Sequence, residues 1–218
     1  MFTSESFCNS VWDKSYSKVS KSISKNDYKK FELAKKNGTR TISYLSKDSL
    51  LRDLQVDLLN NFLCKQNIPI CAKGFKKNES YQTYLYPHIG SKYFLRIDIE
   101  SFFSSISVSN IKDAFSNFMV FQNQDDKDKT INMICEIVSL EGILPQGACT
   151  SPVVSNLVMA RLDQRVLKYC QVFDVTYTRY ADDMLFSSNS FNFMEKHWFL
   201  KKVKYILKSN NFRLNYSK

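Results

Sequence analysis

Two β-rich runs, VFDVTYTRY and MLFSS, flank Ala181-Asp182-Asp183 within residues 172–188. Branched and aromatic side chains favour a pleated strand, and Asp is at home in a turn, so the stretch reads as a hairpin with two carboxylates at its turn. A third run, Tyr93-Phe94-Leu95-Arg96-Ile97-Asp98-Ile99, is mostly apolar and predicts a strand buried on both sides. The remaining patterns are mainly helical. LLRDLQVDLLNNF repeats apolar residues at three and four, with Leu50, Leu51, Leu54, Leu58, Leu59 and Phe62 on or near the buried face. Further helices are expected over 109–119, 130–140, 152–171 and 195–209, the third with a stripe of Val153, Leu157, Leu162, Val166 and Leu167. Residues 122–129 (QNQDDKDK) read as a charged loop, and FRLN near the end as a short strand. Earlier, residues 1–36 are polar, with Phe7, Val11, Val19, Ile23, Phe31 and Leu33 at loose helical spacing. Asn37-Gly38 signals a turn before TRTISYL, which predicts a hairpin there. The order indicates an α+β fold, with helices backing an antiparallel sheet.

Composition excludes several classes. At 44% hydrophobic and 24% charged the chain is not a disordered polymer, and five Gly with four Pro leave little for flexible linkers. No run of ~18 apolar residues occurs, and the first residues lack the apolar core of a secretory leader. The six scattered cysteines form no C-x-x-C pair, which argues against a structural zinc site. The expectation is a soluble cytoplasmic protein with reduced thiols and no membrane contact. The net charge is +10, and residues 1–80 hold 15 Lys/Arg against 8 Asp/Glu. A basic first third points to a polyanion, nucleic acid first; the alternative is a solvated basic surface.

Asp98 lies in an apolar strand, where a carboxylate is costly unless paired or metal-bound. Arg96, two residues away on the same strand face, and Arg179 are its alternative partners. Asp-Asp at a turn is common, so neither carboxylate site is decisive alone. Together they suit one chemistry. Extending a nucleic acid requires a 3′-hydroxyl to attack the α-phosphorus of a nucleotide, and polymerases use two Mg²⁺ ions ~3.5–4 Å apart to lower the charge on both oxygens of the displacement. Mg²⁺ takes hard oxygen ligands, so a strand-borne Asp and a turn-borne pair meeting across a sheet are a suitable set.

Three ordered blocks, RIDIESFFSSI, ILPQGACTSPVVSNLV and YTRYADDMLFSS, resemble the palm motifs of reverse transcriptases. The likeness is greatest to bacterial ones, those of retrons, group II introns and phage-defence systems, and it runs from about Arg40 to Lys218. Tyr180-Ala181-Asp182-Asp183 matches the YADD box, and Leu144-Pro145-Gln146-Gly147 with Thr150-Ser151-Pro152 and Ser155-Asn156-Leu157 matches the block before the long helix. The resemblance implies a right-hand fold: residues 1–36 as a helical extension, 37–92 as fingers and 93–218 as palm, with a helical fingers-side insertion over 113–141. It implies Asp98, Asp182 and Asp183 as catalytic carboxylates, and Asp98, Ile99, Asp182 and Asp183 as contacts of two Mg²⁺ ions, with Mn²⁺ as a substitute. It places Arg40, Lys47, Phe103, Gln146, Gly147 and Lys218 around the nucleotide. Phe103 takes the gate position, whose bulk excludes a ribose 2′-hydroxyl. One of Phe102 and Phe103 is expected in the core. Gly147 permits close backbone approach, and Arg40 suits a triphosphate.

Some positions depart from the family pattern. Gly74, Phe75, Ser80 and His88 match a block in which the usual arginine is replaced by Glu79 and the usual Asn-Ala by Tyr84-Leu85. The hairpin near Arg40 lacks the usual proline, and Asn211 replaces a glycine before Phe212. The chain reaches the last palm motif and shows no thumb: the expectation is either a fragment or a thumb carried on another segment or a partner. The implied activity is RNA-directed DNA synthesis from dNTPs, with an RNA template and a DNA product, in anti-phage defence or a retroelement and with a non-coding RNA. The competing readings are a template-independent or protein-primed DNA polymerase, and a non-catalytic nucleic-acid-binding scaffold.

Overall fold

A computed structural model describes residues 1–35 and 38–215. Its elements, in chain order, are α1 (Ser4–Trp12), α2 (Tyr16–Lys21), β1 (Tyr28–Lys35), β2 (Gly38–Leu45), α3 (Leu50–Asn61), α4 (Tyr81–Leu85), β3 (Tyr93–Asp98), α5 (Phe102–Ser105), α6 (Val108–Phe118), α7 (Gln124–Val138), α8 (Ser151–Gln171), β4 (Thr176–Tyr180), β5 (Asp183–Ser188) and α9 (His197–Lys208). They form two compact units that interleave along the chain. The first comprises Met1–Gln66 and Ile106–Val158, the second Asn67–Ser105 and Met159–Lys218. The linear division expected from sequence has no such interleaving.

In the first unit, β1 and β2 form the expected hairpin, paired from Tyr28↔Leu45 to Lys35↔Gly38. Residue 37 of the turn signal lies outside the described residues. The pairing corrects the helical reading of residues 28–35. Phe31 and Leu33 lie on a strand and are exposed, because β2 supplies a ladder that loose helical spacing cannot match. α3 is capped by the Ser49 side chain and buries Leu51, Leu54 and Leu58, while Leu50 points to solvent. Gln55 is buried in this helix; its amide donates to the Ile137 carbonyl at 2.8 Å and the Tyr28 hydroxyl at 2.9 Å, tying α3 to α7 and to β1. The charged stretch expected as a loop instead opens α7. The Asn123 side chain accepts from the Asp126 amide at 2.8 Å, and Asp125 and Asp126 lie in the first turn, where the helix dipole favours negative charge.

In the second unit, β3, β5 and β4 form an antiparallel sheet in that order. β5 is central and the most buried, as its run MLFSS suits. β3 is not buried on both faces as expected: it is an edge strand whose burial alternates, and Phe94 is 54% exposed. Helices α8 and α9 are joined to the sheet by an aromatic cluster. Tyr177 stacks on Phe186 at 4.9 Å between ring centres, Phe186 meets Phe199 edge-on at 5.5 Å, and Phe199 stacks on Tyr169 at 5.1 Å. FRLN makes a single bridge, Ile99↔Leu214, rather than a strand. All six cysteines are free, and no helix among the described residues is long and apolar enough to cross a membrane.

Candidate active site

The register of the second unit's sheet sets Asp98 on β3 directly opposite Asp183 on β5. Tyr180 pairs with Asp183 across the hairpin, so Ala181 and Asp182 are its two turn residues. Ala181, rather than either aspartate, takes the left-handed conformation, with φ of 55°. A residue with a Cβ is disfavoured there by roughly 1–2 kcal/mol, so the turn needs outside support. Three contacts supply it. Arg179 Nη1 donates to the Ala181 carbonyl at 2.9 Å. The Ile99 amide donates to the Asp182 carbonyl at 3.0 Å. Gly74 lies so close that a Cβ on it would stand 2.7 Å from the Ala181 nitrogen, which gives this glycine a steric reason.

Arg179 is itself anchored from beneath. It is wholly buried, as is Asp163 of α8, and the two meet through paired hydrogen bonds, Nε to Oδ1 at 2.9 Å and Nη2 to Oδ2 at 2.7 Å. The Tyr177 hydroxyl donates to the same Asp163 Oδ1 at 2.8 Å. Burial opposes the guanidinium charge, but Asp163 outweighs it and holds the Arg179 pKa above its usual value. Burial, with Asp163 adding to it, pushes the Tyr177 hydroxyl well up, so it stays a donor. Sequence reasoning missed Asp163. The signal was present: it falls on the buried face of α8 among Met159, Leu162, Val166 and Cys170, where a lone carboxylate demands a cation.

The two arginines weighed as partners for Asp98 bond other carboxylates. Arg96 grips Asp183, Nε to Oδ1 at 2.8 Å and Nη2 to Oδ2, and its Nη2 also donates to the Tyr81 hydroxyl at 3.3 Å. The bond to Asp183 raises the Arg96 pKa. Asp98 is nearly buried, and Asn215 holds it: the Asn215 amide donates to the Asp98 carbonyl at 2.8 Å, and Asn215 Nδ2 to Asp98 Oδ2 at 3.2 Å. The FRLN segment thus lies along the strand that carries Asp98.

Phe102 is buried against Phe212, as one of the two phenylalanines was expected to be. Phe103 is half-buried, with Phe75 at 6.0 Å between ring centres. Glu79, at the position of the family arginine, pairs with Lys73 at 2.9 Å. A hydrogen bond from Thr83, more than the Lys73 pair, holds its carboxyl below the usual range.

Of the sequence-predicted residues, Asp98, Ile99, Phe103, Asp182 and Asp183 belong to the second unit, and Arg40, Lys47, Gln146 and Gly147 to the first. Lys218 lies outside the described residues. Arg40 is exposed on β2, and Lys47 is exposed in the turn after it. The Gln146 carbonyl accepts from the Ser43 amide at 2.8 Å. Gly147 has φ of 121°, and a Cβ there would meet the Ser43 carbonyl at 2.6 Å, so close backbone approach is what this glycine allows.

Among the described residues no cluster of three or more His, Cys, Asp or Glu is gathered as a ready ligand set. The donor chemistry nonetheless fits a hard divalent cation. Asp98 and Asp183 are opposed carboxylates in register, Asp182 is adjacent, and Arg96 occupies the Asp183 oxygens.

Comparison with known proteins gives a consistent set. Residues 23–218 match the family model described as reverse transcriptase (RNA-dependent DNA polymerase). The chain is 36% identical over 172 residues to the retron Ec73 reverse transcriptase of Escherichia coli, covering 74% of this chain and 53% of that protein. It is 34% identical over 151 residues to the retron Ec86 reverse transcriptase of the same organism, covering 69% and 45%. The retron Mx65 reverse transcriptase of Myxococcus xanthus is 28% identical over 189 residues, covering 78% and 42%. The chain spans about half the length of these curated relatives.

Proposed function

Since this chain belongs to the reverse transcriptase family, we propose that it carries the catalytic centre of an RNA-directed DNA polymerase, with Asp98, Asp182 and Asp183 as its carboxylates. The observation that carries this reading is the register of Asp98 against Asp183, with Asp182 at the two-residue hairpin turn. We assign the three-stranded sheet and its helices to the palm and the β1–β2 hairpin to the fingers.

The reaction joins a primer 3′-oxygen to the α-phosphorus of a dNTP and releases pyrophosphate. Two divalent ions, Mg²⁺ or Mn²⁺, when bound, lower the charge on the attacking and leaving oxygens. Asp98, Asp182, Asp183 and the Ile99 carbonyl would hold them. The chain's own residues do the rest. Arg179, seated on Asp163, braces the turn that presents Asp182 and Asp183. Asn215 orients the Asp98 carboxylate. Arg96 balances the Asp183 charge. Phe103 acts as the gate: a bulky ring at that position would clash with a ribose 2′-hydroxyl and so select dNTPs. Arg40, Lys47, Gln146, Gly147 and Lys218 take the nucleotide-contacting roles that the family resemblance gives them. The relatives' retron names support an RNA template, a DNA product and a non-coding RNA partner, in an anti-phage or retroelement setting.

The test is incorporation of labelled dNTPs by the purified protein with Mg²⁺ and RNA, with and without a primer. Dependence on both template and primer is expected. Product without template would replace this reading with a template-independent one. Asp182→Asn with Asp183→Asn is expected to abolish incorporation while leaving the thermal melt near that of the parent; full activity in that variant would sink the assignment. Phe103→Ala is expected to admit ribonucleotides, read as the ratio of rNTP to dNTP incorporation. An unchanged ratio would move the gate elsewhere.

A further inference from the structure

Between Lys196 and Lys218 the sequence has seven basic residues and no acidic one. The structure turns part of this run into an ordered surface. α9 buries Phe199, Val203, Ile206 and Leu207 on one side. On the other side Trp198, Lys201, Tyr205 and Lys208 recur at spacings of three and four, so they form a single exposed stripe. Trp198 is 46% exposed and Tyr205 65%, large values for aromatic rings with a core available to them. Lys202 lies over the Tyr205 ring at 5.0 Å.

The neighbouring face of α8 continues the pattern. Arg161, Arg165 and Lys168, again at four and three, are exposed. Arg165 Nη1 donates to the Ser209 hydroxyl just beyond α9 at 2.7 Å, while Phe173, just beyond α8, meets Trp198 edge-on at 5.0 Å between ring centres. The two helices therefore run in opposite directions with their cationic faces side by side.

A surface kept only for solubility mixes both signs. Lys201 and Lys204, three apart, and Lys204 and Lys208, four apart, repel along the helix, so this arrangement is unfavourable until a polyanion answers it. Rings interleaved with cations fit a polyanion that also offers flat faces. That chemistry is single-stranded nucleic acid, whose phosphates meet the cations and whose bases stack on the rings. A lipid surface fits poorly, because the apolar side of α9 is spent on its own core.

We propose that the outer face of α9, together with the adjoining face of α8, binds single-stranded RNA. The surface stands apart from Asp98, Asp182 and Asp183 in its residues, and only the choice of RNA over DNA rests on the polymerase reading. It is a holding surface for the strand. Lys201 and Lys208 lie about 10 Å apart along the helix axis at 1.5 Å per residue.

The test is fluorescence anisotropy of labelled U20 RNA over a range of salt, in the catalytically silent Asp182→Asn/Asp183→Asn background so that turnover plays no part. Each phosphate contact contributes about 0.7 to the slope of log affinity against log salt for single strands. Lys201→Gln/Lys202→Gln/Lys208→Gln is therefore expected to flatten the slope by about 2. Tyr205→Ala is expected to weaken binding at least roughly fivefold with the slope unchanged, the mark of lost stacking rather than lost charge. RNA should also quench the fluorescence of the half-exposed Trp198, while Trp12 is buried. A matched triple, Lys14→Gln/Lys18→Gln/Lys21→Gln, removes equal charge from the first unit and is expected to change the slope less. An equal change in both triples, or none in the α9 triple, overturns the proposal. So does tighter binding of T20 DNA than of U20, or a loss of binding to phosphatidylserine vesicles with U20 binding intact. If incorporation fails in the parent protein while U20 still binds through this face, the polymerase reading falls and the surface stands.

Discussion

Two arginine–aspartate pairs among the described residues of the second unit differ in almost everything but chemistry. Arg179 and Asp163 are both sealed from solvent. Arg96 and Asp183 meet with the same two-pronged geometry, yet the arginine is 60% exposed. A buried pair is bound to its place: removing one partner leaves a charge that water cannot reach. An exposed pair exchanges readily with solvent and ions, and contributes little to stability. The buried pair braces the hairpin turn through the Ala181 carbonyl, while the exposed pair covers a carboxylate that the proposed reaction needs. One is built to stay and the other to let go.

The contrast can be broken at three points. The largest effect is expected at Arg179. Arg179→Met should cost about 3–5 kcal/mol by stranding Asp163, read by urea unfolding, and Asp163→Leu added to it should recover much of that loss. A single-variant cost under about 1 kcal/mol would mean that the pair is not the brace described, since that is the size found for exposed pairs.

A buried group of the opposite kind tests the same point through pH. His88 is held between the Ser187 and Thr178 hydroxyls, both at 2.7 Å, and burial lowers its pKa to about 4. In that state it is neutral. The unfolded chain binds the extra proton between its ordinary pKa and the lowered one, so His88 lets stability fall as pH drops from about 6.5 towards 4. The loss is at most roughly 3.5 kcal/mol, at about 1.4 kcal/mol per pKa unit. His88→Gln should flatten that part of a melting-temperature profile. An unchanged slope would assign the acid sensitivity to other groups.

Arg96 should give the smallest effect. Arg96→Gln is expected to shift stability by less than about 1 kcal/mol, by the same urea measurement. A loss as large as that of Arg179→Met would erase the distinction between the two pairs.

Much of this was legible in sequence. The hairpin around Asp182 and Asp183, the strand ending at Asp98 and the helices α3, α8 and α9 all follow from local periodicity and turn chemistry. Three features were harder to read. The start of α7 hides in QNQDDKDK, because a polar N-cap and acidic first turn resemble a loop unless the cap at Asn123 is recognised. β3 reads as buried on both faces from its apolar run, but its burial alternates, and whether a face is covered depends on what packs over the sheet rather than on the strand's own residues. The basic face of α9 was hidden by averaging: over the whole chain the first third looks the more basic, and the acid-free run after Glu195 is diluted by the acidic residues before it.

The sequence by itself determined the hairpin around Asp182 and Asp183, the strand ending at Asp98, the helices α3, α8 and α9, the order of the three carboxylates and the family likeness, because these rest on neighbours a few residues apart. Only the tertiary structure decided which arginine answers which aspartate. Strand alternation sets Arg96 beside Asp98 on its own strand, but it bonds Asp183 of the adjacent strand, and Arg179 bonds Asp163 of a helix. Ionic partners are chosen by register and facing between elements that meet only after folding, and no local pattern records that meeting.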